Sequence, residues 1–415
     1  MKCRHCQHEL SLDFLDLASA PPSNAYLTQA QLLQAELWLP LKIKVCTQCW
    51  LVQTLDFTGR ENLFDENYAY FSSYSISWLT HAANYVAEAI ARFALNSHSQ
   101  VVEVAANDGY LLQYVQAAGI PCLGIEPTHS TAQAARAKGL TVLEEFFGSR
   151  CVAQLQQQGL AADLMVANNV LAHVPDINDF VSGFCALLKP TGVASFEFPH
   201  LLNMVRENQF DTAYHEHFSY LSLTAVQGIF LANGLSIFDV ERIPTHGGSL
   251  RVWAQRSDSA SQPVSPSLAD LLAEERAAGI TTADFYQQAQ QRALQSKFAL
   301  LDFLLRAKAA GKHVVAYGAA AKGNTLLNFC GIKADLIDAV IDLNPHKQSK
   351  YLPGSRIPVH GLDYLQQQSP DYLLILPWNL QDEIVRQLKQ ADLARNKSME
   401  VWVAIPELKH VANLT

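Results

Sequence analysis

Tyr214, His215, Glu216 and His217, followed by Tyr220, put titratable or hydroxyl side chains at four consecutive positions inside the stretch 196–223. That density fits neither a surface loop nor an apolar core. Imidazole, with a reference pKa of about 6.5, is the side chain best suited to take a proton near neutrality. His217 is read as a general base, although His215 fits the sequence nearly as well. Glu216 would orient or tune an imidazole, and Tyr214 or His173 would donate to an oxygen that gains charge. The non-catalytic reading is a polar turn with a metal-like His pair. A second set lies at the start of the chain. Cys3, Cys6, Cys46 and Cys49 form two CxxC knuckles about forty residues apart. Four thiolates satisfy a tetrahedral Zn²⁺ and leave no open position, so the ion would be structural. His5 and His8 rank below the cysteines as ligands. Cys122, Cys151, Cys185 and Cys330 are scattered and read as buried thiols.

The elements that must position these groups follow an α/β pattern. Residues 101–105 form a strand, 106–109 a turn and 110–118 a helix, and a second strand ends in Glu126. An acid there can hydrogen-bond ribose hydroxyls. The GxGxxG of dinucleotide folds is missing. Glu103, Asn107, Asp108 and Gly109 instead are similar to the ExGxxxG motif of S-adenosylmethionine-dependent methyltransferases, with Ala105 where the first glycine stands. Residues 162–167 read as the next strand, with Asn168 and Asn169 at its C-terminal end and His173 just beyond. Ligands of open α/β sheets bind past those strand ends, so these residues and the Tyr214–His217 cluster should share one crevice. Tyr68 and Tyr70 either pack or line a pocket; His246 to Arg251, with its Gly pair, is either a hairpin turn or the edge of a site.

A Ser/Pro-rich stretch at 257–267 marks a linker. A second α/β unit then begins. Gly318, Lys322, Gly323 and Asn324 supply amides and one cation where phosphate can sit, without the GxxxxGK[ST] of a P-loop. A later loop carries Lys347 and Tyr351. Alternating strands and helices predict a parallel sheet.

Taken in order, the paired CxxC lobe, VEVAANDGYLL, NNVLAHVPD, YHEHFSYLS, AYGAAAKGNTLLN and DLNPHKQSKYLPG resemble the sugar C-methyltransferase family. Its members methylate C3 of nucleotide-linked 4-keto deoxysugars. The resemblance spans essentially the whole chain, and YHEHFSYLS is its most specific part. It implies an α/β fold: an N-terminal zinc-binding lobe (1–66), a central Rossmann-like class I methyltransferase domain (67–256) and a C-terminal Rossmann-like α/β domain (257–415). It implies S-adenosylmethionine at Glu103, Asp108, Gly109, Glu126 and Asn168, and the position of Ala105, Asn107 and Asn169 beside them adds these three to the expected cofactor site. The catalytic set is implied at Tyr214, Glu216, His217 and His173, and structural zinc at the four paired cysteines. The resemblance implies the nucleotide diphosphate at Lys322, Asn324 and the loop around Lys347, which includes Tyr351; Tyr68, Tyr70 and Arg251 are further substrate-contact candidates read from their own positions. Competing readings are an O-methyltransferase and a non-catalytic zinc-containing binding protein.

Bulk properties agree with a packed, multi-domain protein. The 415 residues are 49% hydrophobic and 17% charged, with a net charge of −9. That balance argues against nucleic acid as a partner. No secretory signal or membrane-length apolar run is visible, so a cytoplasmic monomer is expected.

Overall fold

A computed structural model describes residues 1–55, 57, 71–391 and 398–414. Tyr68 and Tyr70 lie outside the described residues. The strands are β1 (Leu12–Ala20), β2 (Leu39–Val45), β3 (Val52–Thr54), β4 (Val101–Val104), β5 (Cys122–Ile125), β6 (Val142–Leu143), β7 (Ala162–Asn168), β8 (Leu188–Pro199) and β9 (Ser219–Tyr220). They continue with β10 (Leu235–Ile243), β11 (Ser249–Arg256), β12 (Val314–Tyr317), β13 (Val340–Ile341), β14 (Val359–His360), β15 (Tyr372–Ile375), β16 (Met399–Val403) and β17 (Lys409–Leu414).

The central sheet has the order β10-β11-β8-β7-β4-β5-β6. β4, β5, β6, β7 and β8 are parallel, whereas β11 runs antiparallel to both β8 and β10. Helices cover both faces, so β4 is apolar but for Glu103 and buried throughout. The helix Ile76–Phe93 shows how one of these covers forms. It buries Ala82, Tyr85, Val86 and Ala89 at helical spacing. The Ser75 hydroxyl accepts from Trp78 N at its start, a cap worth about 1 kcal/mol. From β4 the chain steps outward to β5 and β6, then returns to the other side of β4 as β7. A switch point therefore opens between the C-terminal ends of β4 and β7, where such sheets bind ligands.

The C-terminal sheet, β14-β13-β12-β15-β16-β17, repeats that device between β12 and β15. Its last strand, β17, is antiparallel to β16 and departs from the all-parallel expectation. β13 is short, Val340–Ile341, and a turn over 334–336 precedes it. Beyond the Ser/Pro linker, the helix Pro266–Ala278 packs its buried Leu268 and Leu271 into the same core as β10 of the central sheet.

The third sheet, β1-β2-β3-β9, is shared. β9 follows directly on the YHEH segment and pairs with β3 of the cysteine lobe. A small lobe gains core by this sharing: Val52 of β3 and Tyr220 of β9 lie in one cluster with residues of the C-terminal unit. Among the described residues no helix is long and apolar enough to cross a membrane.

Candidate active site

The two switch points face one another across a cavity of about 790 Å³, within the size range of small-molecule sites. On the central-sheet side, the turn after β4 carries positive φ at Ala105 (56°), Asn107 (49°) and Gly109 (76°). Gly109 is needed there, since a Cβ would meet Leu140 Cδ1 at 2.2 Å. The Glu126 carboxylate ends β5 and accepts from Asn107 N and Thr128 N, both at 2.9 Å. Burial raises its pKa, and those donated hydrogen bonds oppose the rise. Asn168 Oδ1 and both side-chain polar atoms of Asn169 are buried at the cavity with no partner among the described residues. Buried polar atoms are nearly always satisfied, so these are free to bond a bound ligand. Ala105, Asn107, Glu126, Asn168 and Asn169 all line the cavity, and the set fits the ribose and amino-acid parts of S-adenosylmethionine.

Three chemically active side chains meet on the facing wall. The His217 ring lies 3.9 Å from the Tyr214 ring and 4.6 Å from the His173 ring, centroid to centroid. His217 Nδ1 is 2.8 Å from Thr212 O, and His173 Nδ1 is 2.7 Å from Glu216 O. A carbonyl can only accept, so each Nδ1 carries the proton and each Nε2 keeps its lone pair. Burial pushes the His173 pKa down to about 4 and that of His217 well below its ordinary value, the latter helped by the neighbouring His173. Both rings are therefore neutral at neutral pH and able to accept a proton.

The cysteine lobe holds this segment in place. Thr54 Oγ1 donates to His217 O at 2.6 Å, and Thr54 N donates to Phe218 O at 3.1 Å. Asn24 N and Nδ2 donate to Glu216 Oε1 at 3.1 and 3.2 Å. His215 turns away, with Nε2 3.2 Å from Leu39 O, and does not line the cavity. This separates two histidines that the sequence left equivalent. The Glu216 carboxylate likewise accepts from Asn24 and, among the described residues, bonds no imidazole; it is its main-chain carbonyl that orients His173.

The four cysteine sulfurs lie within 4.8 Å of one another, with Cys3–Cys49 at 3.6 Å and Cys6–Cys46 at 3.4 Å. A tetrahedral ion with Zn–S of about 2.3 Å sets sulfurs about 3.8 Å apart, so the residues fit structural zinc. Both knuckles share one backbone shape: Gln7 N bonds Cys3 O and Trp50 N bonds Cys46 O, with φ near 60° at Gln7 and Trp50. His5 is engaged elsewhere, by Asn178 Oδ1 at 2.7 Å.

The C-terminal sheet contributes cations. Lys322 Nζ donates to Asn379 Oδ1 at 2.8 Å and sits 4.4 Å over the Trp378 ring. Trp378 Nε1 donates to Asp211 Oδ2 at 2.8 Å, which ties the two units together. Burial lowers the Lys322 pKa to about 8, against the pull of Asp211. Lys347 Nζ donates to Ala319 O at 2.7 Å and also lines the cavity.

Several expected contacts lie elsewhere. Arg251 is buried behind the wall, with Nε 2.8 Å from Glu197 Oε1 and NH1 3.1 Å from both Glu88 and Glu241. Asn324 is buried and donates to Ser23 O at 2.6 Å. Tyr351 bonds Gln29 on the cysteine lobe. None of the three lines the cavity, because ion pairing or packing against neighbouring segments uses their polar groups. Glu103, Asp108 and Gly109 support the β4 turn from beneath: Asp108 Oδ2 accepts from Ser73 N at 3.2 Å, and burial raises Glu103 well above the carboxylate range. Trp78, His81, His246 and Asn379 do line the cavity. Sequence reading passed over Trp78 and His81, whose i, i+3 spacing looks like helix packing.

The cavity, its unsatisfied asparagines and the seven-stranded sheet define an S-adenosylmethionine-dependent methyltransferase. Residues 78–240 match a methyltransferase domain, 3–64 a zinc binding domain, and 244–406 the C-methyltransferase C-terminal domain. The chain is 33% identical over 389 residues to the C-methyltransferase NovU of Streptomyces niveus, covering 94% of this chain and 92% of that protein. It belongs to the sugar C-methyltransferase family that its motifs resemble. Solved structures similar to part of the chain include the magnesium protoporphyrin IX methyltransferase of Synechocystis PCC 6803 with bound S-adenosylmethionine. That match has 19% identity and a TM-score of 0.34, covering 43% of this chain and 79% of that one. The CcbJ methyltransferase of Streptomyces caelestis is 14% identical with a TM-score of 0.33, covering 42% and 88%.

Proposed function

We propose that the protein methylates C3 of a nucleotide-linked 4-keto deoxysugar through an enolate formed by His217. The observation that carries this reading is the neutral His217, its Nδ1 committed to Thr212 O and its Nε2 left as an acceptor, in a cavity that also holds the cofactor residues. A C4 ketone acidifies the C3 proton, because the charge left behind moves onto oxygen. His217 Nε2 takes that proton, and the Tyr214 hydroxyl donates to the oxygen as charge develops. His173, with its own proton on Nδ1, is an acceptor at Nε2 and serves as a second proton carrier, not as the donor. S-adenosylmethionine, when bound, supplies an electrophilic methyl group; the chain's part is to generate the carbon nucleophile beside it. Lys322, at the start of the helix Ala321–Cys330, and Lys347 face the same space and suit a nucleotide diphosphate. In this reading residues 67–256 hold the cofactor, residues 257–415 hold the nucleotide, and the zinc lobe at 1–66 braces the catalytic segment.

The test is incubation with S-adenosylmethionine and a panel of nucleotide-linked 4-keto-6-deoxysugars, with mass spectrometry and NMR of the products. A new carbon–carbon methyl at C3 supports the reading. A methyl ether, or no methylation of any member by protein that binds the cofactor, rejects it.

A further inference from the structure

We infer that His246 contacts the sugar of the nucleotide-linked substrate, donating its ring N–H to one of the sugar's oxygens; the inference rests on the nucleotide-sugar reading above and deepens it. Among the described residues, the cavity histidines are His81, His173, His217 and His246. The first three each have a ring nitrogen against a protein acceptor: Glu197 Oε2 for His81, Glu216 O for His173 and Thr212 O for His217. Each therefore spends an N–H inside the protein. Neither ring nitrogen of His246 has a hydrogen-bond partner among the described residues. Burial, and then the charge of Lys322, lowers its pKa to about 3. At neutral pH the ring is neutral and carries one N–H and one lone pair. A hydroxyl or carbonyl oxygen of a sugar accepts from such an N–H.

His246 sits in the turn between the antiparallel strands β10 and β11, with φ 56° and ψ 21°. Residues other than glycine seldom adopt that left-handed conformation, and it persists only where the surroundings fix it. Here Gly248 N donates to Thr245 O at 2.9 Å, Gln209 Nε2 to Gly247 O at 2.8 Å and His200 N to Gly248 O at 3.1 Å. Only glycine fits just after His246. A Cβ on Gly247 would meet the Trp378 ring at 2.4 Å, and one on Gly248 would meet Asn203 Nδ2 at 2.3 Å. The imidazole itself meets the Trp78 ring edge-on, with 5.3 Å between centroids. The turn is thus wedged between Trp78 of the central unit and Trp378 of the C-terminal one, and Lys322 Nζ lies 4.4 Å over the Trp378 ring. In a nucleotide sugar the sugar follows directly on the diphosphate. With the diphosphate at Lys322 and the reacting carbon at His217, the sugar between them passes the turn that carries His246.

The experiment is calorimetric titration of the full-length, zinc-loaded protein with three ligands. They are S-adenosylhomocysteine, the sugar nucleotide of the panel above that the wild type binds most tightly, and the nucleoside diphosphate of the same base. The last two differ in the sugar. In His246→Phe, which keeps a ring against Trp78 and loses the N–H, we expect affinity for the sugar nucleotide to fall at least tenfold. Affinity for the other two ligands should change less than twofold. His246→Gly also lacks the donor and suits the positive φ, so it should show the same selective loss and decides the case if His246→Phe lowers the melting temperature. His246→Asn, which keeps an N–H donor and tolerates positive φ, should lose less than threefold. Equal weakening of all three ligands in His246→Gly, weakening of S-adenosylhomocysteine alone, or an unchanged affinity for the sugar nucleotide overturns the assignment. A wild-type protein that binds S-adenosylhomocysteine but no sugar nucleotide of the panel overturns the nucleotide-sugar reading, and this inference with it.

Discussion

After β4 the chain turns through positive-φ residues beside Glu126, and after β7 it leaves Asn168 and Asn169 unsatisfied. After β12 it turns through Gly318 and starts a helix that carries Lys322, with Lys347 nearby. Both are switch points of parallel sheets, and both open on one cavity. The first offers acceptors and a buried carboxylate, which suit ribose hydroxyls and an ammonium. The second offers ammonium groups and helix amides, which suit phosphate. In the proposed reading one topology serves two ligands, and the residues just past the strand ends decide which. The YHEH segment is delivered between them, off the end of β8.

The largest effect should come from the group between the two halves. His217→Asn should lower kcat about 10³-fold, the scale of general-base catalysis, while cofactor affinity stays within twofold by calorimetry. His215→Asn, outside the cavity, should cost less than threefold. Next, Lys322→Met should raise KM for the sugar nucleotide about thirtyfold, or about 2 kcal/mol, and leave the cofactor dissociation constant unchanged. Weakening of both ligands by either variant would break the division between the two switch points.

The same division should appear in pH profiles. The Lys322 ammonium, with its pKa lowered to about 8, is lost as pH rises through that value, so kcat/KM should decline above it. Lys322→Arg should move that alkaline limb out of range. Stability has the opposite limb. His173 titrates near 4 in the folded chain, below the ordinary 6.5, so the unfolded chain takes up its proton first. Its contribution is complete above about 6.5 and is lost as pH falls toward 4, with a falling melting temperature. The smallest effect is at the motif departure. Ala105 sits at φ 56°, where a Cβ costs about 1–2 kcal/mol before glycine's entropy is counted. Ala105→Gly should stabilise by about 0.5–1 kcal/mol and change cofactor affinity less than threefold.

Local chemistry was legible in the sequence; orientation across elements was not. The CxxC knuckles, the β4 turn, Glu126 and the Asn168-Asn169 pair announce themselves by spacing relative to strands, because the strand end fixes where the next residue stands. His215 and His217 could not be told apart, since which one faces the cavity depends on β3 and Leu39 from the cysteine lobe. Arg251 looked like a substrate contact because an arginine beside two glycines resembles a site edge. Its three carboxylate partners come from β8, β10 and the helix Ile76–Phe93. His81 was hidden for the converse reason: its Glu197 partner lies 116 residues away. The antiparallel β17 was missed because register against β16, not composition, sets its direction.

The central claim is that His217 makes a carbanion equivalent at C3, and deprotonation can be watched without methyl transfer. The protein, saturated with S-adenosylhomocysteine in deuterated water, should exchange the C3 proton of its 4-keto substrate by NMR. His217→Asn should not. Exchange at an undiminished rate in His217→Asn, or no exchange at C3 by a wild-type enzyme that methylates the same sugar, would contradict the account.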